Sequence, residues 1–250
     1  MGSISMRREW MKSHFHLLAK RKIKTDSHKR IKPPALQKYF SQNVTLIDLP
    51  FPDESVLKEN NFFHILTNRR SCRKFSGEPI SLNELSLLLW STQGVQKIFE
   101  NTMVSIRPVP SAGARHAYET YLFIRNVSGL ATGVYRYLSL DHKLLPLYHH
   151  EGFDIMLKNA LFEQDYVLDS AVVFAWNCIP YRSEWRYGEE AHKLMLIDLG
   201  HISQNFYLSA QAMDLGVCAI TAYEQKALCR LTKVDGEEEY PVLLSCVGRK

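Results

Sequence analysis

Ala171-Val172-Val173-Phe174-Ala175-Trp176-Asn177-Cys178 is nearly all apolar. The run falls far short of the ~18 residues that cross a bilayer. An apolar run without alternation fits a central strand covered on both faces, so helices are expected on both sides of its sheet. Upstream, residues 118–125 and 133–138 read as strands joined by a turn around 126–129, which predicts a hairpin. Downstream, the longest helix should run from about 189 to 213. Met195, Leu199, Ile202, Phe206, Ala210 and Met213 recur on it at helical spacing, and Leu215-Gly216 should end it. Residues 217–222 then read as a strand, 224–231 as a short helix and 241–247 as a closing strand.

The N-terminal half supplies the other helices. Residues 55–68 read as a helix with Val56, Phe62, Phe63, Ile65 and Leu66 inward. Ser81-Leu82-Asn83-Glu84 is a capping box, in which the serine hydroxyl takes an orphan backbone N–H while the glutamate reaches back. Leu82, Leu85, Leu88 and Leu89 follow as one stripe, and Gly94 suits a left-handed stop. Pro50 and Pro52 bound an extended segment over 44–49 that should wrap the surface. Long helices around a mixed, mostly antiparallel sheet make an α+β three-layer sandwich.

Composition removes several classes. The chain has 250 residues, 46% hydrophobic and 23% charged, which suits one large soluble domain. Five scattered cysteines without C-x-x-C read as separate reduced thiols in a cytoplasmic setting. The histidines form no H-E-x-x-H and no Cys/His quartet, so no metal is expected. G-x-S-x-G, Walker A and G-x-G-x-x-G are all absent.

Charge is uneven. Residues 1–40 carry a net +9 and the rest a net −4, within an overall +5. We therefore divide the chain into a basic N-terminal arm with its wrapping segment, 1–54, and a main domain, 55–250. Met11, Phe15 and Leu18, with Trp10 and Leu17 adjoining, suggest a short basic amphipathic helix within the arm. That helix could dock on its own protein, touch nucleic acid or an anionic membrane, or act in targeting.

Two clusters carry the candidate chemistry. Arg69-Arg70-Ser71-Cys72-Arg73 gathers three guanidiniums and a hydroxyl at a helix exit. Such forks suit phosphate oxygens, although cations at a helix C-terminus also complement its dipole in plain solvent. Arg107-Pro108-Val109-Pro110-Ser111-Ala112-Gly113-Ala114 is a stiffened turn whose small residues let backbone come close to a flat ligand.

The order of these motifs resembles the nitroreductase superfamily, and within it the SagB-type dehydrogenase branch. The resemblance runs on through Gly133-Val134-Tyr135-Arg136-Tyr137, Trp185-Arg186-Tyr187-Gly188-Glu189, Asp198-x-Gly200-His201 and Val247-Gly248-Arg249. It implies an FMN enzyme, an intertwined homodimer with the flavin at the subunit interface, and it favours self-docking of the arm over contact with nucleic acid or membrane. Carried over by position, Arg69, Arg70, Ser71 and Arg73 would hold the phosphate, ribityl chain and pyrimidine edge. Pro110, Ser111, Ala112, Gly113 and Ala114 of the other subunit would lie against the ring system. Leu215 and Gly216 would give backbone contacts, and Arg249 would reach the phosphate.

The resemblance also implies hydride or electron transfer in two half-reactions, with NAD(P)H as electron donor and a small molecule or peptide as substrate. Arg186-Tyr187 stands where the azoline-oxidising members carry a Lys-Tyr pair. Arginine is a poor proton acceptor, which weighs against azoline oxidation, while Tyr187 reads equally as an acid or as a structural aromatic. Arg115-His116 replaces the branch's Leu-His, placing two basic groups near the expected substrate face. Two alternatives stand beside the oxidoreductase reading: a peptide azoline dehydrogenase in a maturation complex, and a catalytically idle flavin-binding protein whose basic arm contacts nucleic acid or membrane.

Overall fold

The computed structural model describes residues 2–20, 22–149 and 152–250. Its elements in chain order are α1 (Ser3–Trp10), α2 (Phe15–Lys20), β1 (Ile47–Asp48), α3 (Phe62–Asn68), α4 (Leu82–Gln93), β2 (Lys97–Phe99), β3 (Val104–Ile106), β4 (Tyr118–Ile124) and β5 (Gly133–Leu138). There follow β6 (Lys143–Tyr148), α5 (Phe153–Ala160), β7 (Val172–Cys178), α6 (Tyr181–Tyr187), α7 (Ala191–Ala212), β8 (Leu215–Ile220), α8 (Gln225–Thr232) and β9 (Tyr240–Arg249). Among the described residues no helix is long and apolar enough to cross a membrane.

Seven strands form one sheet in the order β1-β6-β5-β4-β7-β9-β8, and every strand pairing in it is antiparallel. Among the described residues, parallel pairing is confined to two isolated bridges, Ser71 to Val217 and Ile80 to Val127. β7 lies between β4 and β9, so its apolar run has two buried faces. Side chains alternate across a strand: Val172, Phe174 and Trp176 enter one core with α4 and α7, while Val173 and Ala175 enter the other with α5 and α8. The three-layer α+β sandwich follows from that alternation. β6 and the β2–β3 hairpin carry no strong sequence signal.

Four local expectations change. The helix over 55–68 is two pieces, a 3-10 turn at Glu54–Val56 and then α3. Asp53 caps the first and Asn61 the second, while the Lys58 and Glu59 N–H groups leave the helix to donate to the Ala212 carbonyl. In consequence only Ile65 of α3 is buried, and Phe62, Phe63 and Leu66 face outward at 64%, 70% and 43% exposure. Gly94 is extended rather than left-handed (φ −57°, ψ 150°). What excludes larger residues there is the Trp90 side chain, 2.3 Å from where a Cβ would stand. Leu215-Gly216 opens β8 instead of ending α7, and left-handed Asp214 makes the turn. The arm helix breaks between Trp10 and Phe15, where the His14 N–H donates to the Glu190 carboxylate.

The arm lies on its own chain. Lys38 pairs with Glu239 and its N–H donates to Glu119, while Arg136 donates to the carbonyls of Lys38 and Tyr39. The buried Arg107 guanidinium reaches the Leu36 carbonyl, and burial lowers its pKa to about 10. The capping box at Ser81 forms as expected and starts the buried Leu85, Leu88 and Leu89 stripe.

Candidate active site

Helix α7 organises both candidate clusters. Asp198 lies three residues after Met195 and four before Ile202, on the buried stripe of that helix. A carboxylate in that position needs partners. It finds them in the 110–116 loop: the Ser111 hydroxyl donates to Oδ2 at 2.6 Å and the Ala112 N–H to Oδ1 at 3.1 Å. Burial pushes the Asp198 carboxyl above its ordinary pKa, against the lowering effect of these two hydrogen bonds. Ser111 Oγ also accepts from the His116 N–H at 3.0 Å, which closes the loop.

The closed loop is strained and tightly packed. Gly113 has φ +59°, and the next turns place Ala114 and His116 at φ 51° and 44°, conformations that cost a side-chain-bearing residue on the order of 1 kcal/mol or more each. A Cβ on Gly113 would stand 2.5 Å from the Tyr187 hydroxyl and 2.9 Å from Arg186. The basic pair expected at the substrate face is internal instead. Arg115 and His116 are both buried and bonded to backbone carbonyls, Arg115 to Gly113 and Met103, His116 to Ser105. Arg115 also lies over the Trp185 ring, and burial, with the Arg186 charge, pulls its pKa down. Burial and the Arg107 charge lower the His116 pKa to about 3, so the ring is neutral and structural.

The second cluster sits further along α7, around Tyr207. The Arg69 guanidinium lies 5.2 Å from the Tyr207 ring centroid, and the Ser71 hydroxyl is 3.2 Å from the Tyr207 hydroxyl, which in turn accepts from the Ala219 N–H. Ser71 bridges to Val217, and the Cys72 N–H donates to the Val217 carbonyl, so the segment runs along edge strand β8 beside Leu215 and Gly216. Gly216 permits this approach, since a Cβ there would meet Cys72 Sγ at 2.6 Å. Arg70 donates back to the Thr67 and Arg69 carbonyls. Among the described residues, Arg69, Arg70 and Arg73 form no ion pair with a carboxylate. Arg249 stands opposite Leu215 in the β8–β9 register and is gripped by Glu84 through two bonds of 2.8 and 2.9 Å.

The structure thus joins Arg69 and Ser71 to the Leu215–Gly216 edge, and Ser111, Ala112 and Gly113 to Arg186 and Tyr187. It does not bring the two groups together within one copy: Asp198 and Tyr207, their anchors, are nine residues apart, roughly 13 Å along the helix. Asp198 and Tyr207 carried no assigned role in the sequence reading. Asp198 stands in the Asp198-x-Gly200-His201 motif, a lone carboxylate on an apolar stripe; Tyr207 gives no signal.

The nitroreductase family model matches residues 66–249, nearly three quarters of the chain. The chain belongs to the nitroreductase family. A Methanocaldococcus jannaschii protein carrying the nitroreductase name is 30% identical over 205 residues, 82% of this chain and 97% of that protein. The trifolitoxin-processing protein TfxB of Rhizobium leguminosarum bv. trifolii is 35% identical over 117 residues, which is 44% of this chain and 30% of TfxB. Among solved structures, a nitroreductase-type protein of Anabaena variabilis superposes with a TM-score of 0.71 at 20% identity, over 85% of this chain and 43% of that one. One from Ralstonia eutropha gives 0.67 at 22% identity, over 88% and 94%. A chain of the E. coli microcin synthetase McbBCD complex gives 0.60 at 18% identity, over 100% and 98%. These structural likenesses establish the nitroreductase fold, and the family makes the protein an oxidoreductase.

Proposed function

We propose that this nitroreductase-family protein is an FMN-dependent oxidoreductase that works as a homodimer, with NAD(P)H as electron donor. The observation that carries the reading is the donor set of 69–73: three guanidiniums that pair with no carboxylate among the described residues, beside a serine hydroxyl, on a segment that Gly216 allows to pack against edge strand β8. That chemistry fits a phosphate with a polar chain attached. Arg69, Arg70, Ser71 and Arg73 would hold the phosphate, ribityl chain and pyrimidine edge, with Leu215 and Gly216 giving backbone contacts. Arg249 would reach the phosphate from the same edge, although unlike the other three guanidiniums it is already ion-paired, with Glu84.

Bound flavin supplies the hydride and electron transfer, and the protein supplies position and charge. Pro110, Ser111, Ala112, Gly113 and Ala114 of the second copy would lie against the flavin ring. The roughly 13 Å between the two anchors on α7 argues for that division of labour. So do the outward Phe62 and Phe63 of α3 and the half-exposed Leu196 and Ile197 of α7, an apolar set that a second copy would cover. Tyr187 would present its hydroxyl as an acid or hydrogen-bond donor toward substrate. Arg186 would act through charge, since a guanidinium does not accept a proton at neutral pH. The separate thiols suit a reducing, cytoplasmic setting.

The test is reconstitution. Protein incubated with FMN and desalted should retain visible flavin absorbance, sediment as a dimer, and consume NADH or NADPH with a quinone acceptor. Protein that stays colourless defeats the reading. A second reading, oxidation of heterocyclised peptides alongside a partner, draws on the partial likeness to a trifolitoxin-processing protein. It predicts turnover only with such a peptide and that partner, and none with the quinone.

A further inference from the structure

A cleft of about 710 Å³ opens between the arm and the end of α6. Its volume is in the range that holds a small organic molecule. Phe15, Leu18 and Ile23 give it apolar lining. Lys22, Lys24 and Arg186 also line it, and no lining residue among those described carries a carboxylate. The nearest acid of this turn, Asp26, lies outside the lining and is bonded to Lys29 and Tyr181. The far side is held in place by hydrogen bonds to α6: the Ser27 N–H donates to the Trp185 carbonyl at 2.8 Å, and Trp185 Nε1 donates to the Ile31 carbonyl at 2.9 Å. Tyr187 belongs to both places. Its ring meets Phe15 edge-on at 6.2 Å inside the cleft, while its hydroxyl abuts Gly113 of the small-residue loop.

We propose that this cleft is the substrate-selecting pocket of the enzyme and that it takes a small organic anion with an apolar body. The body lies against Phe15, Leu18 and Ile23, and the acid group faces the cationic set of Lys22, Lys24 and Arg186. The arm therefore acts as a specificity element, and its positive charge serves a ligand. The proposal rests on Tyr187 belonging to the flavin site, but its test reads binding rather than turnover.

The probes are naphthalene-2-carboxylate and its neutral carboxamide, titrated calorimetrically into the full-length protein with and without FMN. The carboxylate should bind at least fivefold more tightly than the amide, and its advantage should shrink as salt is raised. Lys22→Glu and Lys24→Glu should each weaken the carboxylate about fivefold and leave the amide unchanged. The control Lys226→Glu, on α8 outside this cleft, should alter neither. Phe15→Ser should weaken both probes alike.

Equal binding of acid and amide overturns the proposal, as does an equal effect of Lys226→Glu, which would assign the preference to overall charge. Carboxylate binding that depends on Lys22 in a protein that takes up no FMN would keep the pocket and remove the flavin reading. FMN uptake without acid-selective binding would do the reverse.

Discussion

In the 110–116 loop the Ser111 hydroxyl, the Ala112 N–H, the Arg115 guanidinium and the His116 ring are all bonded within the protein. In the 69–73 segment the three guanidiniums pair with no carboxylate among the described residues, and Ser71 shares one tyrosine hydroxyl. Both regions lie beside α7, and the same sequence reading placed both at a ligand. The difference separates two ways of serving one. A loop whose donors are already satisfied offers shape, a rigid small-residue surface held by Asp198. A segment whose cations have no carboxylate partner among the described residues offers charge, and leaves it available. Substitutions in the loop should therefore change the stability of the ligand-free protein, and those in the segment should not.

The largest effect expected in the loop is on acid stability. The His116 pKa is lowered from 6.5 to about 3 by burial. A proton therefore binds the unfolded chain first, so the contribution is complete above pH 6.5 and is lost as pH falls toward 3. Over that window the shift corresponds to about 4–5 kcal/mol. Asp198 runs the other way: its raised pKa gives a contribution complete below its unfolded value near 3.8 and lost as pH rises through the folded one. Urea unfolding at stepped pH should show His116→Gln flattening the acid limb, and Asp198→Asn removing the opposing slope. An unchanged acid limb in the His116 variant would return that loss to the surface carboxylates.

Next in size is Asp198→Ala. It strips the Ser111 hydroxyl and the Ala112 N–H of their acceptor and should cost about 2–3 kcal/mol, a fall in Tm of roughly 5–10 °C for a chain of this length. Calorimetry of the flavin-free protein checks it. A shift under about 2 °C would mean that the loop holds its shape without the helix.

How legible these regions were in the sequence follows the same division. Periodicity and capping reveal whatever is local: β7 from its unbroken apolar run, α4 from Ser81 and Glu84, α7 from its stripe. The 55–68 segment departs from its pattern because apolar residues at helical spacing predict an inward face. Phe62, Phe63 and Leu66 share a face, but the protein's own core does not cover it. Periodicity gives a face and cannot say what lies opposite. The site residues named from motif order are where chemistry-bearing side chains occur. The anchoring roles of Asp198, although it stands in a motif, and of Tyr207 do not show, because they meet their partners across 87 and 136 residues of chain, and no local pattern encodes such a contact. Arg115 and His116 misled for the same reason: charge is visible in a sequence, burial by a distant Met103 or Trp185 is not.

Gly113→Ala sharpens the comparison inside the loop. The substitution meets a left-handed backbone and the Tyr187 hydroxyl together, and should cost about 1–3 kcal/mol. Tyr187→Phe removes the nearer of the two obstructions. The double variant should recover part of the loss, a coupling that a purely backbone cost would lack. Additive effects in the cycle would show that the loop yields to the side chain, and that the packing of Gly113 on Tyr187 is incidental.

The smallest stability effect belongs to Arg73→Ala, and it is the most telling. The side chain forms no ion pair among the described residues and lies on an exposed segment, so the unfolding midpoint of the flavin-free protein should move by no more than about 0.5 kcal/mol equivalent. FMN retained after desalting should nevertheless fall, with a dissociation constant raised about tenfold or more, as loss of a charge-assisted contact to phosphate requires. The pairing of these two results distinguishes a ligand-directed cation from a solvated one. A variant that keeps its flavin would show 69–73 to be an ordinary helix exit, its charges balanced by the dipole of α3. A variant that loses stability as well would show the segment to be built like the loop, and the contrast between the two regions would disappear.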